Sequence, residues 1–564
     1  MFLIRGKLVW PSSGCAYNTA WSDVGHSSSL QAPMAISDEA SPLLPTSPEP
    51  LSSGRRHRKR RESFETGFPL VVAEEIDVQS TLQEMDASAA ESQAPAVSAS
   101  PCQRLGRSCA VPFTLLMSAI GAGTLAVPYT FVLLSPVQAV LVLCGVGLAM
   151  AFTADTLVDV HVAVATETVD ELQQSRETYQ HLAWRAGGKP LARLAGALTA
   201  FAVFGACVGC VRVVKDMAPV MLSAVIAGFE QRPLEEQQQA VVATVWLVVL
   251  LVLLPLGCLT KISALRFSSY LGVAFSVYLV GAVAYRAAVG GAEDAGVDSA
   301  DAALPVQAEA PLFWRISEVV GIYNFTFMLH LNVIPLLAQL VATETVRRQE
   351  RHDGDIEALG STEAPVAVHL LQAAGRTMRR HLGLAVGTCV LLYATFGVCA
   401  SLIYGGSTQG NILLNLSNDR IMAVPRVAIL LTILFSFPLL FHPLRSLVLE
   451  MYVACTSRSD EGKDENLEDE GQDHAPSQAV QAAVTVLLLV AQILCALRVP
   501  GLQVVFSFVG ASILLMLCYL FPLVFYVQLA PWRSSREGLT RLVLLSMLAI
   551  VATIFCVAAT LQLI

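Results

Sequence analysis

The chain has 564 residues, of which 54% are hydrophobic and only 14% charged, with a formal net charge of −9. Soluble proteins carry roughly a quarter charged residues, so this composition excludes an ordinary soluble enzyme and calls for an apolar solvent. The acidic balance sits in loops and in the N-terminal tail, and nothing in it suggests a nucleic-acid partner. Thirteen cysteines are scattered, many inside apolar runs as at Cys144, Cys389, Cys518 and Cys556, which excludes a disulfide framework. Cys207 and Cys210 form a CxxC, but beside Gly205 and Gly209 in an apolar run they read as small residues at a helix contact rather than a metal or redox site.

Residues 1–107 are rich in Ser, Pro, Ala and Glu and poor in aromatics, a composition that cannot bury enough apolar surface to fold alone. They read as a disordered cytosolic tail. Arg5 and Lys7 interrupt its short apolar start, so no secretory signal is expected there and insertion falls to the first true span. Glu39-Ala-Ser-Pro-Leu43-Leu44 resembles the acidic dileucine signals that sorting adaptors read. It implies an adaptor as partner and a lysosomal or vacuolar membrane, against the plasma membrane as the default. Arg55 to Arg61 is a basic run that reads as a solvated charge cluster.

From residue 108 to 564 the chain is a membrane domain. Apolar runs near the twenty residues needed to cross a bilayer fall at about 111–133, 136–160, 193–227, 240–260, 265–287, 314–338, 382–404, 425–450, 478–497, 502–529 and 540–563. That is eleven spans, all α-helical, with the third too long to stand perpendicular. Lys and Arg concentrate in alternate loops, as at Arg176, Lys189, Arg347, Arg379 and Arg541, which puts the N-terminus in the cytosol. That topology places the acceptor Asn415-Leu-Ser in an outside loop as an N-glycosylation site.

Two spans carry breaks. The first reads Ser118-Ala-Ile-Gly-Ala-Gly-Thr-Leu-Ala-Val-Pro-Tyr129. Two glycines and a proline in one membrane helix are tolerated where the freed backbone lines a cavity, and discontinuous helices of this kind build transporter sites at mid-membrane. The sixth span matches it, with Asn324 to His330 ahead of Pro335. It lies five spans later, where an inverted repeat of spans 1–5 and 6–10 puts its partner. Asn324 and His330 inside an apolar span are functional candidates by default.

At these residues the chain resembles a known family. GAGTLAVPYTF is similar to the first-helix motif of the amino acid/auxin permeases, which include vacuolar amino acid transporters. HLNVIPLLAQL resembles the sixth helix of their animal sodium-coupled neutral amino acid branch. Pro438 to Ser446 resembles its eighth helix, and Arg212-Val-Val-Lys215 sits where that branch has a third-helix lysine. The resemblance implies a LeuT-like fold, two inverted five-helix repeats plus one added helix. It also implies an amino acid site between helices 1 and 6, bounded by 3, 8 and 10. Carried over by motif, Gly121, Ala122, Gly123 and Thr124 offer backbone to the substrate carboxylate. Phe325, Thr326 and Phe327 shape the amine and side-chain pocket, and Ser436 lines the cation region.

One position departs from that pattern. The sodium-coupled members have an asparagine where this chain has Met117, and a thioether is a poor ligand for a hard cation. The expectation is therefore an ion-coupled amino acid transporter with the proton favoured over sodium and no cofactor or bound metal. His330 is the first proton candidate, followed by His442, Glu318 and Asp216. The alternative is a transceptor that binds an amino acid and signals through the tail. No catalytic set of residues stands out.

Overall fold

The computed structural model describes residues 111–167, 178–257, 266–289, 309–352, 363–416, 422–460 and 477–563. The 1–107 tail, with Glu39, Leu43 and Leu44, lies outside them. The described residues are helical, with no strand. Ten helices are long and apolar enough to cross a membrane, and a bent pair makes an eleventh.

In chain order, α1 is the bent pair, Val111–Ala119 (α1a) and Ala122–Leu133 (α1b), turned by 44°. Then follow α2 (Pro136–Glu167), α3 (Tyr179–Val225), α4 (Leu234–Gly257) and α5 (Arg266–Val289). The sixth span is again two helices, α6a (Leu312–Thr326) and α6b (His330–His352). The rest are α7 (Glu363–Tyr404), α8 (Ala423–Asp460), α9 (Gln478–Arg498), α10 (Leu502–Leu529) and α11 (Arg536–Leu563). Broken helices at positions one and six, packed on each other, are the order that two five-helix repeats plus one helix require.

The length of α3 has a local cause. Gly187 and Gly188 leave helical geometry, Gly188 at φ +67°, so a short leading helix meets the true span at a corner. Helices α7 and α8 outrun their apolar windows by a polar stretch at one end.

Enclosure sorts the spans. In α3, 72% of the most apolar window is buried, against 22% in α4. Large side chains left outward, such as Leu148, Leu391, Leu487 and Leu561, face lipid, since lipid tails are as apolar as they are. Inside, glycine permits helix contact at backbone distance. A Cβ on Gly510 of α10 would stand 1.9 Å from the Gly321 carbonyl oxygen of α6a, and one on Gly397 of α7 would stand 2.0 Å from the Phe131 ring of α1b. Likewise Gly205 and Gly209, the neighbours of the CxxC, leave room for Val509 and Phe506 of α10.

Two ionic clusters pin opposite ends of the bundle. At one end, Arg212 of α3 pairs with Asp216 at 2.9 Å and donates to the Val499 and Pro500 carbonyls in the α9–α10 turn. Asn411, in the α7–α8 turn, donates to Asp216. At the other end, Arg379 of α7 and Arg541 of α11 both bridge Asp155 and Asp159 of α2.

Candidate functional site

A cavity lies at the break in α1. Its walls come from α1 (Thr114 and Met117 to Leu125), α3 (Ala206, Cys210), α5 (Gly272, Val273, Ser276, Leu279), α6 (Phe325, Met328, Leu331, Asn332) and α8 (Ile429, Thr432, Ile433, Ser436, Leu439, Leu440). Among the described residues no charged side chain lines it. The expected boundary by α3 and α8 holds, while the remaining wall is α5 and not α10. The α10 side chain nearest the site, Phe506, stacks on the far face of Phe325 at 4.3 Å and backs the wall instead of forming it.

The α1 break is built by Gly121. Its backbone is extended (φ −135°, ψ −155°), and a 3-10 turn starts at Ala122. The Gly121 amide folds back to the Ala119 carbonyl at 3.0 Å, and the Thr124 amide bonds the Gly121 carbonyl at 3.1 Å. The Ala119 carbonyl also accepts the Tyr393 hydroxyl of α7 at 2.9 Å. The first amides of a helix have no intrahelical partner, so those of Ala122 and Gly123 open on the cavity with the positive end of the half-helix behind them. The two glycines differ. A Cβ on Gly121 meets nothing within 4 Å, whereas one on Gly123 would press the Phe325 ring at 3.1 Å.

The α6 break is enclosed. Phe327 is non-helical (φ −100°, ψ 29°), and its amide, with those of Met328 and Leu329, closes tight turns on Tyr323, Phe325 and Phe327. Helical rotation then separates the three expected pocket residues. Phe325 lines the cavity. Thr326 is buried with its hydroxyl on the Ile322 carbonyl of its own helix. Phe327 points the other way, edge-on to Tyr393 of α7.

Of the ion-coupling candidates, Ser436 alone is on the cavity wall. His330 is fully buried outside it, with Nε2 2.8 Å from the Thr153 hydroxyl of α2. That hydroxyl also reaches the Ala149 carbonyl of its own helix, and His330 Nδ1 has no partner among the described residues. Asp216 is held in the Arg212 cluster. Glu318 is buried on α6a and makes no ion pair among the described residues. His442 is half-buried on α8 between Pro438 and Pro443. Asn324 knits three helices, donating to the Gly510 carbonyl and the Cys556 sulfur and accepting from the Tyr519 hydroxyl, which makes it a structural residue. Asn415, expected to carry a glycan, uses both ends of its amide inside its loop, on Gln409 and Ser407. Ser417 of that acceptor lies outside the described residues.

Sequence reasoning did not single out Asn332, Ser276 or Tyr393. Asn332 is a polar residue inside a span and carried the signal; the other two are unremarkable until the fold brings them to the break.

The chain is similar to known proteins over most of its described residues. The sequence model described as "Transmembrane amino acid transporter protein" matches residues 109–348 and 371–564. The chain is 23% identical over 434 residues to sodium-coupled neutral amino acid transporter 7 of Xenopus laevis, covering 76% of this chain and 83% of that one. It is 24% identical over 181 residues to amino acid transporter AVT3A of Arabidopsis thaliana, 32% of this chain and 36% of that one. Among solved structures, MhsT in complex with L-phenylalanine aligns with a TM-score of 0.45 at 11% identity, over 80% of this chain and 98% of that one.

Proposed function

The chain belongs to the transmembrane amino acid transporter family, and on that premise we propose that it is a secondary transporter of neutral amino acids that binds its substrate at the α1 break. The observation that carries this reading is the opening of the Ala122 and Gly123 amides on a cavity without a charged side chain. Backbone amides at a helix N-terminus suit a carboxylate. A cationic or anionic substrate side chain would meet no counter-charge and would be left desolvated. Both relatives carry amino acid transport in their names, one of them for neutral substrates.

For coupling, the proton remains the favoured ion. Met117 stands on the cavity wall and brings sulfur where a sodium ion wants oxygen. The carrier we favour is Glu318 in place of His330. Glu318 is a buried membrane carboxyl without a cationic partner among the described residues, and such a group is a functional candidate by default. Asp216 already has Arg212.

Purified protein in liposomes tests this. Uptake of a labelled neutral amino acid should survive replacement of sodium by choline and should rise with a pH step, acid on the entry side. Glu318→Gln should abolish the response to the step. Uptake that collapses without sodium and ignores pH would reject the proton reading while leaving the amino acid site standing. The acidic dileucine at Glu39, Leu43 and Leu44 supports an internal acidic membrane, and alanine at both leucines should then move a tagged protein to the cell surface.

A further inference from the structure

Five polar side chains of the cavity can be compared by their hydrogen bonds. Ser118, Ser276 and Thr432 each donate to a carbonyl of their own helix, at 2.8 Å to Leu115, 2.9 Å to Gly272 and 2.9 Å to Ala428. Thr124 and Asn332 do not. Both line the cavity and both are more than nine-tenths buried, at 5% and 6% exposure. Thr124 has the Tyr393 hydroxyl beside it as a partner, whereas Asn332 Oδ1 has no hydrogen-bond partner among the described residues. Leaving a buried acceptor unmade costs about 1–3 kcal/mol, and folded proteins leave few of them. Such an atom on the cavity wall points to a ligand that completes it.

Their places divide the work. Thr124 follows directly on the Ala122 and Gly123 amides, at the end of the cavity that suits the α-carboxylate. Asn332 sits on α6b, beyond the α6 break, with Met328 and Leu331 beside it and Leu439 and Leu440 among the cavity's other linings. It is a polar acceptor in the first turn after the α6 break, its amide on the Leu329 carbonyl, with apolar residues around it. One precisely placed polar group in a mostly apolar pocket is the pattern that sets specificity.

We propose that Asn332 is the specificity-determining residue of this cavity: its Oδ1 accepts a hydrogen bond from the uncharged amide or hydroxyl side chain of the bound amino acid. This rests on the amino acid site proposed above. An apolar side chain of the same length fills the space but leaves Oδ1 unpaired, and a site built around a hydrogen bond rejects an analogue that lacks it.

The test is equilibrium binding of L-glutamine and L-norleucine, two side chains of similar length, to the purified full chain. Wild type should prefer glutamine by roughly tenfold to a hundredfold. Asn332→Leu should bring the two affinities to within about threefold, and Asn332→Ser, which keeps a shorter acceptor, should fall between. An unchanged ratio in Asn332→Leu, or no preference in wild type, overturns the proposal. If Asn332→Leu does not fold, an unchanged ratio in Asn332→Ser overturns it instead. Wild type that binds neither ligand rejects the underlying site, a result distinct from binding both without preference.

Discussion

The breaks in α1 and α6 occupy equivalent places in the chain and have opposite surroundings. In α1 the chain opens at a glycine whose missing side chain faces empty space. Its bonds are local, Gly121 to Ala119 and Thr124 to Gly121, with one side chain from outside, Tyr393, on the Ala119 carbonyl. In α6 the chain opens among Phe327, Met328 and Leu329, and neighbouring helices close over it: Thr153 holds His330 and Tyr393 packs on Phe327. Both breaks free backbone groups that a membrane interior cannot solvate. The α6 break packs its side chains against α2 and α7, whereas the α1 break lies on the cavity wall from Met117 to Leu125, and on the reading proposed here it is the α1 break that a ligand fills.

The largest expected effect follows from that contrast. Gly121→Val places its branches in the open cavity, so transport should fall roughly a hundredfold or more through displaced substrate, with folding and surface delivery unchanged. Gly123→Val drives a branch against Phe325 and should lower thermal stability as well. Uptake and melting temperature measured together separate the two. A normal rate in Gly121→Val would move the site elsewhere.

Next in size is the backbone contact that holds α6a in place. Gly510→Ala must force α10 off Gly321, since the added carbon would stand 1.9 Å from its carbonyl oxygen. The cost should reach about 3 kcal/mol or more, read as lost folded yield. A well-behaved Gly510→Ala protein would mean that α6a and α10 are free to separate.

A smaller loss is expected at His330. His330→Leu removes the bond to Thr153 and should lower stability by about 1–2 kcal/mol, with the pH dependence of transport unchanged. An altered pH profile would give the α6 break a share in coupling. The smallest is Tyr393→Phe, which removes one of the two donors to the Ala119 carbonyl. It should cost about 1 kcal/mol and slow uptake severalfold, with substrate preference retained.

The sequence made the spans legible because hydropathy counts residues against bilayer thickness. It could not show that α3 is two pieces, since the Gly187–Gly188 corner lies outside the apolar window. The break in α1 was legible because two glycines and a proline fall within one span, and the cavity lies against that break. The α6 half was not. Phe325, Thr326 and Phe327 are consecutive, yet each residue turns a helix by a large angle, so Phe325 reaches the cavity and Phe327 turns to Tyr393. His330 and Asn324 are polar in a span, but bonds from Thr153, Tyr519 and Gly510 give both a structural setting that composition cannot reveal. Asn332, two residues from His330, has the same composition signal and no such bonds at its Oδ1.

The central claim is that the α1 break receives the substrate, and a structure of the full chain with a neutral L-amino acid bound tests it most directly. The account predicts ligand density between Gly121–Thr124 and Phe325, with the carboxylate within hydrogen-bond distance of the Ala122 and Gly123 amides. Density for the amino acid at any other place, with this cavity holding only water, would contradict it.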